Sequence, residues 1–299
     1  MPLAVSLIAP SSFTAPDAID AGIRGLEALG VEVHVEAPLQ APERYLAGSR
    51  EHRLARLHAA FDDPETRAVW AVRGGYGAAQ LVDGIDWDRL ARANKPLIGY
   101  SDVTVLLDHC HRHGVPAIHG PVAKAAGDLL GGDGTGEADE RDIVRRQFEE
   151  TLALINGPTA LDYPLTPWAN APTRLEGPVT GGNLATIASL IGTPAGFCAP
   201  PGSLVILEDV GEPYYRLERA LWQLVHGGAL EHAAAVCLGT FEGCRPYGDT
   251  PLEAIVAETL APLGLPLYTG LPSGHGLHNR PWRYGAPGRV ADGRLLIAS

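Results

Sequence analysis

Residues 68–102 read AVWAVRGGYGAAQLVDGIDWDRLARANKPLIGYSD, and this stretch decides the fold. An apolar run over 68–72 is followed at once by a glycine turn, Arg73-Gly74-Gly75-Tyr76-Gly77. A short helix is predicted over 86–93. A second apolar run at 96–99 then closes in Tyr100-Ser101-Asp102. Strand, turn, helix, strand and turn in this order form a β-α-β unit, and repetition of such units builds a mostly parallel sheet with helices on both faces.

The same alternation extends outward. Residues 3–9 are apolar and end at Pro10-Ser11-Ser12, and Pro16 opens a helix that ends near Gly30. Residues 31–35 alternate with period two, as a half-exposed strand does. Ser49 can cap a helix reaching about residue 61, where Asp63-Pro64 breaks it. On the other side, a helix is predicted over 104–113 and a strand over 115–119. The reading is α/β: an N-terminal doubly wound, mostly parallel sheet, Rossmann- or flavodoxin-like, over 1–156. Ligands of such sheets bind beyond the carboxyl ends of the strands, so the turns at 73–77 and 99–102 should share that edge.

The segment 126–140, GDLLGGDGTGEADER, reads as an exposed loop and precedes a helix at 142–155. Residues 157–174, which carry Pro158, Pro164, Pro167 and Pro172, read as a linker. A smaller, strand-rich α/β domain is expected over 175–299, with strands at 177–180, 203–207 and 234–238 and a helix over 215–226. No internal repeat is present.

Composition narrows the function. The 299 residues are 45% hydrophobic and 19% charged, which is globular. The net charge of −12, from 35 acidic and 23 basic side chains, argues against nucleic acid as a partner. An anionic substrate would need a locally cationic pocket. The N-terminus lacks a basic leader, and no run nears the roughly 18 apolar residues of a membrane span, so a cytoplasmic protein is expected. Cys110, Cys198, Cys237 and Cys244 are scattered without a CxxC pair, neither a disulfide framework nor a zinc ribbon.

Several constellations carry chemistry. In Gly99-Tyr100-Ser101-Asp102-Val103 a strand leads to a serine and a helix follows, with a small residue two positions before the serine. That is the layout of a nucleophile elbow, although Val103 replaces the second glycine of G-x-S-x-G. A serine capping its helix has the same local sequence. The 73–77 turn fails the dinucleotide fingerprint, because Gly75-x-Gly77 continues to Gln80 and follows the third strand. Its free backbone amides suit an oxyanion hole better, and a loop needing positive φ is the plainer reading. Glu208-Asp209 ends an apolar strand and can be solvated, cap the next segment or orient a histidine. In Gly274-His275-Gly276 the glycines permit close approach by another segment. His109 and His113 stand four apart on a helix, a spacing found in zinc pairs. They lack an HExxH arrangement, and histidines in a last turn also suit the helix dipole.

Taken in order, Ala9-Pro10-Ser11, RGGYG at 73–77, GYSD at 99–102, His119-Gly120-Pro121, Gly181-Gly182-Asn183-Leu184, Leu207-Glu208-Asp209 and Gly274-His275-Gly276 resemble the LD-carboxypeptidase (muramoyltetrapeptide carboxypeptidase) family of serine peptidases. The resemblance covers nearly the whole chain. It implies Ser101 as nucleophile, His275 as general base and Glu208 as the residue that orients it, in the Ser–Glu–His order of α/β-hydrolases but on a different fold. It also implies an oxyanion hole of the Gly75 and Asp102 amides, and a site formed where the two domains meet. Arg73, Tyr76 and Asn183 are substrate-binding candidates; Arg73 equally suits bracing its loop. The implied reaction, through an acyl-enzyme, releases terminal D-alanine from cytoplasmic muramyl tetrapeptides in cell-wall recycling. Neither metal nor cofactor is implied, the implied partner is the muropeptide substrate, and a homodimer is common in the family. A related branch inactivates microcin-type antibiotics. There Asn-Ser-Asn follows the RGG, whereas this chain has Tyr76-Gly77. A non-catalytic or dinucleotide-binding module is the reading from another class.

Overall fold

Every side chain of Ala68–Ala71 is buried, as the centre of a sheet covered on both faces requires. This strand is β3 of a first unit, Met1–Gly157, and a second unit spans Pro158–Ser299. The computed structural model describes residues 2–130 and 138–298.

The first unit runs β1 (Leu3–Ile8), α1 (Pro16–Ala28), β2 (Val31–His34), α2 (Arg50–Asp62), β3, α3 (Trp87–Ala93), β4 (Leu97–Gly99), α4 (Thr104–Arg112), β5 (Ala117–His119) and α5 (Ala138–Asn156). Its strands lie in the order β5-β4-β3-β1-β2, all parallel. That is the flavodoxin-like order, whose switch point falls between β1 and β3. From β1 the chain first steps outward to β2, then crosses back to β3 and on to β5. With right-handed crossovers this reversal puts α1 on one face and α2 to α4 on the other.

Local signals set the boundaries. Pro16 occupies the first turn of α1, the Ser49 hydroxyl accepts from the His52 amide at 3.2 Å to start α2, and Asp86 caps α3 through the Arg89 amide at 2.9 Å. Trp70 fills the centre, fully buried, with Phe148 of α5 5.7 Å away and its indole N–H donated to the Pro121 carbonyl at 2.7 Å. The stretch 126–140, expected as a loop, starts inside a 3₁₀ helix (Ala123–Leu130) and ends in α5. Residues 131–137 of that expectation lie outside the described residues.

The second unit contains β6 (Leu161–Pro164), β7 (Thr166–Ala169), β8 (Arg174–Asn183), α6 (Leu184–Ser189), β9 (Leu204–Val210), α7 (Tyr214–His226), β10 (Ala235–Glu242), α8 (Leu252–Leu260), β11 (Leu267–Thr269), β12 (Trp282–Arg283), β13 (Pro287–Ala291) and β14 (Arg294–Ile297). Its eight-stranded sheet has the order β6-β14-β13-β8-β9-β10-β11-β7, parallel from β8 to β11 and antiparallel at both margins. Leu217, Leu221 and Leu224 of α7 recur at helical spacing and pack on Val205 and Leu207 of β9 and Val236 and Leu238 of β10. Each such leucine contributes roughly 1.5–3 kcal/mol on burial.

The stretch read as a linker, 157–174, instead supplies β6 and β7, the two outer strands of this sheet. Edge strands tolerate proline because one row of amides pairs with nothing, so Pro164 and Pro167 sit within strands and not between domains. Among the described residues no helix is long and apolar enough to cross a membrane.

Candidate active site

Three turns meet at the carboxyl edge of the first sheet: those after β1, β3 and β4. The turn after β4 carries Ser101 with φ of +64°, a left-handed conformation rare outside glycine. Ser101 opens a 3₁₀ turn (Ser101–Val103) that runs directly into α4. A Cβ on Gly99 would stand 2.8 Å from Val103 Cγ1, so this sharp reversal needs a small residue two positions before the serine. A Cβ on Gly74 would stand 2.9 Å from Ser101 Cβ, 3.0 Å from its Oγ and 3.2 Å from the Asp102 amide nitrogen. The glycine turn therefore lies directly against the serine.

Gly75 has φ of +110°, and a Cβ there would fall 2.5 Å from Ser12 Oγ. The Ser12 hydroxyl accepts from the Tyr76 amide at 3.1 Å, which ties the turn after β3 to the turn after β1. Arg73 donates to the Phe13 carbonyl at 3.0 Å and braces the same pair of turns. Tyr76 projects outward, 52% exposed.

Two buried polar side chains hold these turns. Asp102 accepts from the Ala78 amide at 2.9 Å. Burial pushes its carboxyl upward, opposed by the Ser11 side chain, the Ala78 and Gly77 amides and the Arg53 charge. Arg53 of α2, 2% exposed, donates to the carbonyls of Pro10 at 2.6 Å, Gly77 at 2.8 Å and Gly48 at 3.0 Å, and to Gln80 Oε1 at 2.6 Å. Sequence reasoning missed Arg53. The available signal was its place on the buried stripe of α2 with Leu57, Ala60 and Phe61.

In the second unit, Glu208 near the end of β9 is fully buried and accepts from the His275 backbone amide at 3.0 Å. Its Oε2 lies 2.6 Å from His275 Nδ1. A carboxylate on Nδ1 fixes the tautomer that leaves Nε2 as the basic nitrogen. The approach depends on Gly274, at φ of +129°, where a Cβ would meet Glu208 Cβ and Thr240 Oγ1, each at 2.6 Å. Thr240 of β10 donates to the His275 carbonyl at 2.6 Å and fixes the loop from the other side. Asn183 caps α6: its Oδ1 accepts from the Thr186 amide at 2.9 Å and hydroxyl at 2.7 Å, and its Nδ2 donates to Asp209 at 3.2 Å. Both ends of its amide are thus engaged.

The structure therefore brings Ser101, Asp102, Gly75, Arg73 and Tyr76 together in one unit, and Glu208 and His275 in the other. The histidines weighed as a zinc pair both lie against one aromatic ring: Trp87 stacks on His113 at 4.8 Å and on His109 at 5.7 Å. Elsewhere, His34, Asp63 and Glu65 group together, with His34 Nδ1 2.7 Å from Asp63 Oδ2.

Residues 5–120 match the LD-carboxypeptidase N-terminal domain family, and residues 176–290 the LD-carboxypeptidase C-terminal domain family. A murein tetrapeptide carboxypeptidase of Pseudomonas aeruginosa is 46% identical over 97% of this chain and 94% of its own. The crystal structure of muramoyltetrapeptide carboxypeptidase from Oxalobacter formigenes superposes with a TM-score of 0.82 at 26% identity, covering 99% of this chain and 98% of that one. The microcin C7 self immunity protein MccF shares the fold, with a TM-score of 0.86 at 18% identity over 100% and 96% of the two chains.

Proposed function

Since the chain belongs to the LD-carboxypeptidase family and is a serine carboxypeptidase, we propose that it hydrolyses the L,D-peptide bond of a muramyl tetrapeptide and releases terminal D-alanine. Ser101 Oγ attacks the carbonyl of the third residue while His275 Nε2 takes its proton and Glu208 steadies the imidazolium. The amides of Gly75 and Asp102 receive the oxyanion, an interaction worth roughly 10²–10³ in rate per donor. Collapse of the tetrahedral intermediate transfers the proton to the departing D-alanine amine and leaves an acyl-enzyme. Water, deprotonated by the same histidine, then attacks the ester and frees the tripeptide. The nucleophile comes from the first unit and the base from the second, so the reading needs both.

The observation that carries this reading is the conformation of Ser101. A serine held at φ of +64° between β4 and α4, against a glycine with no room for a Cβ, is a strained position that a helix cap does not need. The murein substrate is favoured over an antibiotic peptide by 46% identity to the Pseudomonas enzyme against 18% to the microcin protein. The test is release of free D-alanine from a muramyl tetrapeptide by wild type and by Ser101→Ala. Wild type is expected to release it, and Ser101→Ala to be slower by about 10⁴-fold or more with its fold intact. Retention of more than a few per cent of turnover by the variant removes Ser101 from the mechanism.

A further inference from the structure

Beside the three turns, Glu43-Arg44-Tyr45-Leu46 forms a two-residue hairpin, with the Leu46 amide donating to the Glu43 carbonyl at 3.0 Å and the Glu43 amide to the Leu46 carbonyl at 3.2 Å. It is anchored firmly. Leu46 and Ala47 are buried, the Phe13 amide donates to the Tyr45 carbonyl at 3.0 Å, and the Ala47 amide to the Ser11 carbonyl at 3.0 Å. The first central residue of this hairpin has φ of +55°, a position that favours glycine, yet the chain places Arg44 there. Strain of this kind persists where the surroundings impose it, and it gathers at ligand sites.

The hairpin presents a specific set of groups. Tyr45 and Tyr76 are 55% and 52% exposed and meet edge to face with ring centroids 5.6 Å apart. The Arg44 guanidinium lies 5.5 Å from the Tyr45 ring centroid. Among the described residues it has no carboxylate partner. Tyr76 is two residues from Gly74, which packs on Ser101, so the hairpin adjoins the turn that lies against the Ser101 hydroxyl. A guanidinium over an aromatic ring and without a carboxylate partner suits a carboxylate ligand, since the ring orients the planar fork and leaves its edge N–H groups free.

We propose that Arg44, held over the Tyr45 ring, binds the free α-carboxylate of the γ-linked glutamyl residue that precedes the third residue of the substrate. The inference rests on the muramyl tetrapeptide reading above and deepens it. Arg44 stands on the hairpin tied to the turn after β1, and a γ-linkage sets that carboxylate no more than roughly 9 Å from the scissile carbonyl. It also supplies a local cation that an anionic peptide needs on a chain of net charge −12.

The test compares two muramyl tetrapeptides that differ only in this group, the glutamyl acid and its isoglutaminyl amide. Calorimetry would measure the binding of each to Ser101→Ala and to the double variant Ser101→Ala/Arg44→Gly. Glycine suits the positive φ, so the second change leaves the hairpin folded. The parent is expected to bind the acid about tenfold more tightly than the amide, and the double variant to bind the two alike. A preference that survives Arg44→Gly, no preference in the parent, or no binding of either peptide overturns the inference. D-alanine release by wild type, measured in parallel, separates the two readings. Release without acid preference leaves the carboxypeptidase reading standing and this one fallen; an Arg44-dependent preference without release does the reverse.

Discussion

Ser101 is the residue where local propensity and structure disagree most usefully. A left-handed conformation costs a non-glycine residue roughly 1–2 kcal/mol, because its Cβ crowds the following carbonyl. Alanine at this position keeps that crowding, whereas glycine removes it. We expect Ser101→Gly to unfold about 2–4 °C above Ser101→Ala, with turnover absent from both. Equal melting temperatures would show that the turn is not strained, and would take away the observation on which the nucleophile rests. The sequence already displayed the requirement for Gly99, since a strand entering a turn two residues before a serine is a local pattern. It could not display the contact of Gly74 with Ser101, because the two come from different β-α turns and only the strand order brings them together.

Among the elements, α2 does the most for the site without touching substrate in the proposed mechanism. Its boundaries were legible from Ser49 and Asp63-Pro64, but the role of Arg53 was not. An arginine on a helix reads as solvated, and three of its four partners are backbone carbonyls, which have no signature in sequence. Arg53 joins the turns after β1 and β3 to the start of α2. Its own ionisation is pulled down by burial and supported by the charge of Asp102. Replacing it with methionine, Arg53→Met, fills the space but orphans the Pro10, Gly77 and Gly48 carbonyls. At roughly 1–3 kcal/mol for each buried unsatisfied group, the loss should reach at least about 3 kcal/mol by denaturant unfolding. Because the glycine turn then loses its brace, kcat should fall about tenfold or more at temperatures where the variant is still folded, with a smaller change in KM. Arg53→Lys should recover part of the stability and less of the rate, since an ammonium cannot bridge several carbonyls in one plane. Full kcat in folded Arg53→Met would show that the turns position themselves without it.

At the scale of the molecule, the strand–helix alternation made the first sheet legible, and proline made the join between the units misleading. Prolines at 164 and 167 are compatible with a linker and with edge strands, and only the pairing of β6 and β7 distinguishes them. The Glu208–His275 pair was not legible as a pair from local sequence, because its partners stand on β9 and on a loop 67 residues later. The resemblance supplied it. Net charge, by contrast, is fully visible in the sequence and acts on every encounter. A muramyl tetrapeptide with a diaminopimelyl third residue has its N-terminal amine acylated, and three carboxylates against one distal ammonium leave about two net negative charges near neutral pH. The chain carries −12. Approach is therefore uphill at long range, while a contact such as that proposed at Arg44 acts within a few ångströms. Salt at 0.1 M cuts the reach of charge to about 10 Å, which removes the distant repulsion and leaves a close ion pair largely in place. On that balance kcat/KM should rise about twofold between roughly 0.02 and 0.3 M sodium chloride, with kcat steady. The isoglutaminyl peptide, with one charge fewer, should rise less. A fall with salt instead would mean that the cations at this edge, Arg44 and Arg73 among them, outweigh the acidic surface beyond contact range and steer the substrate in.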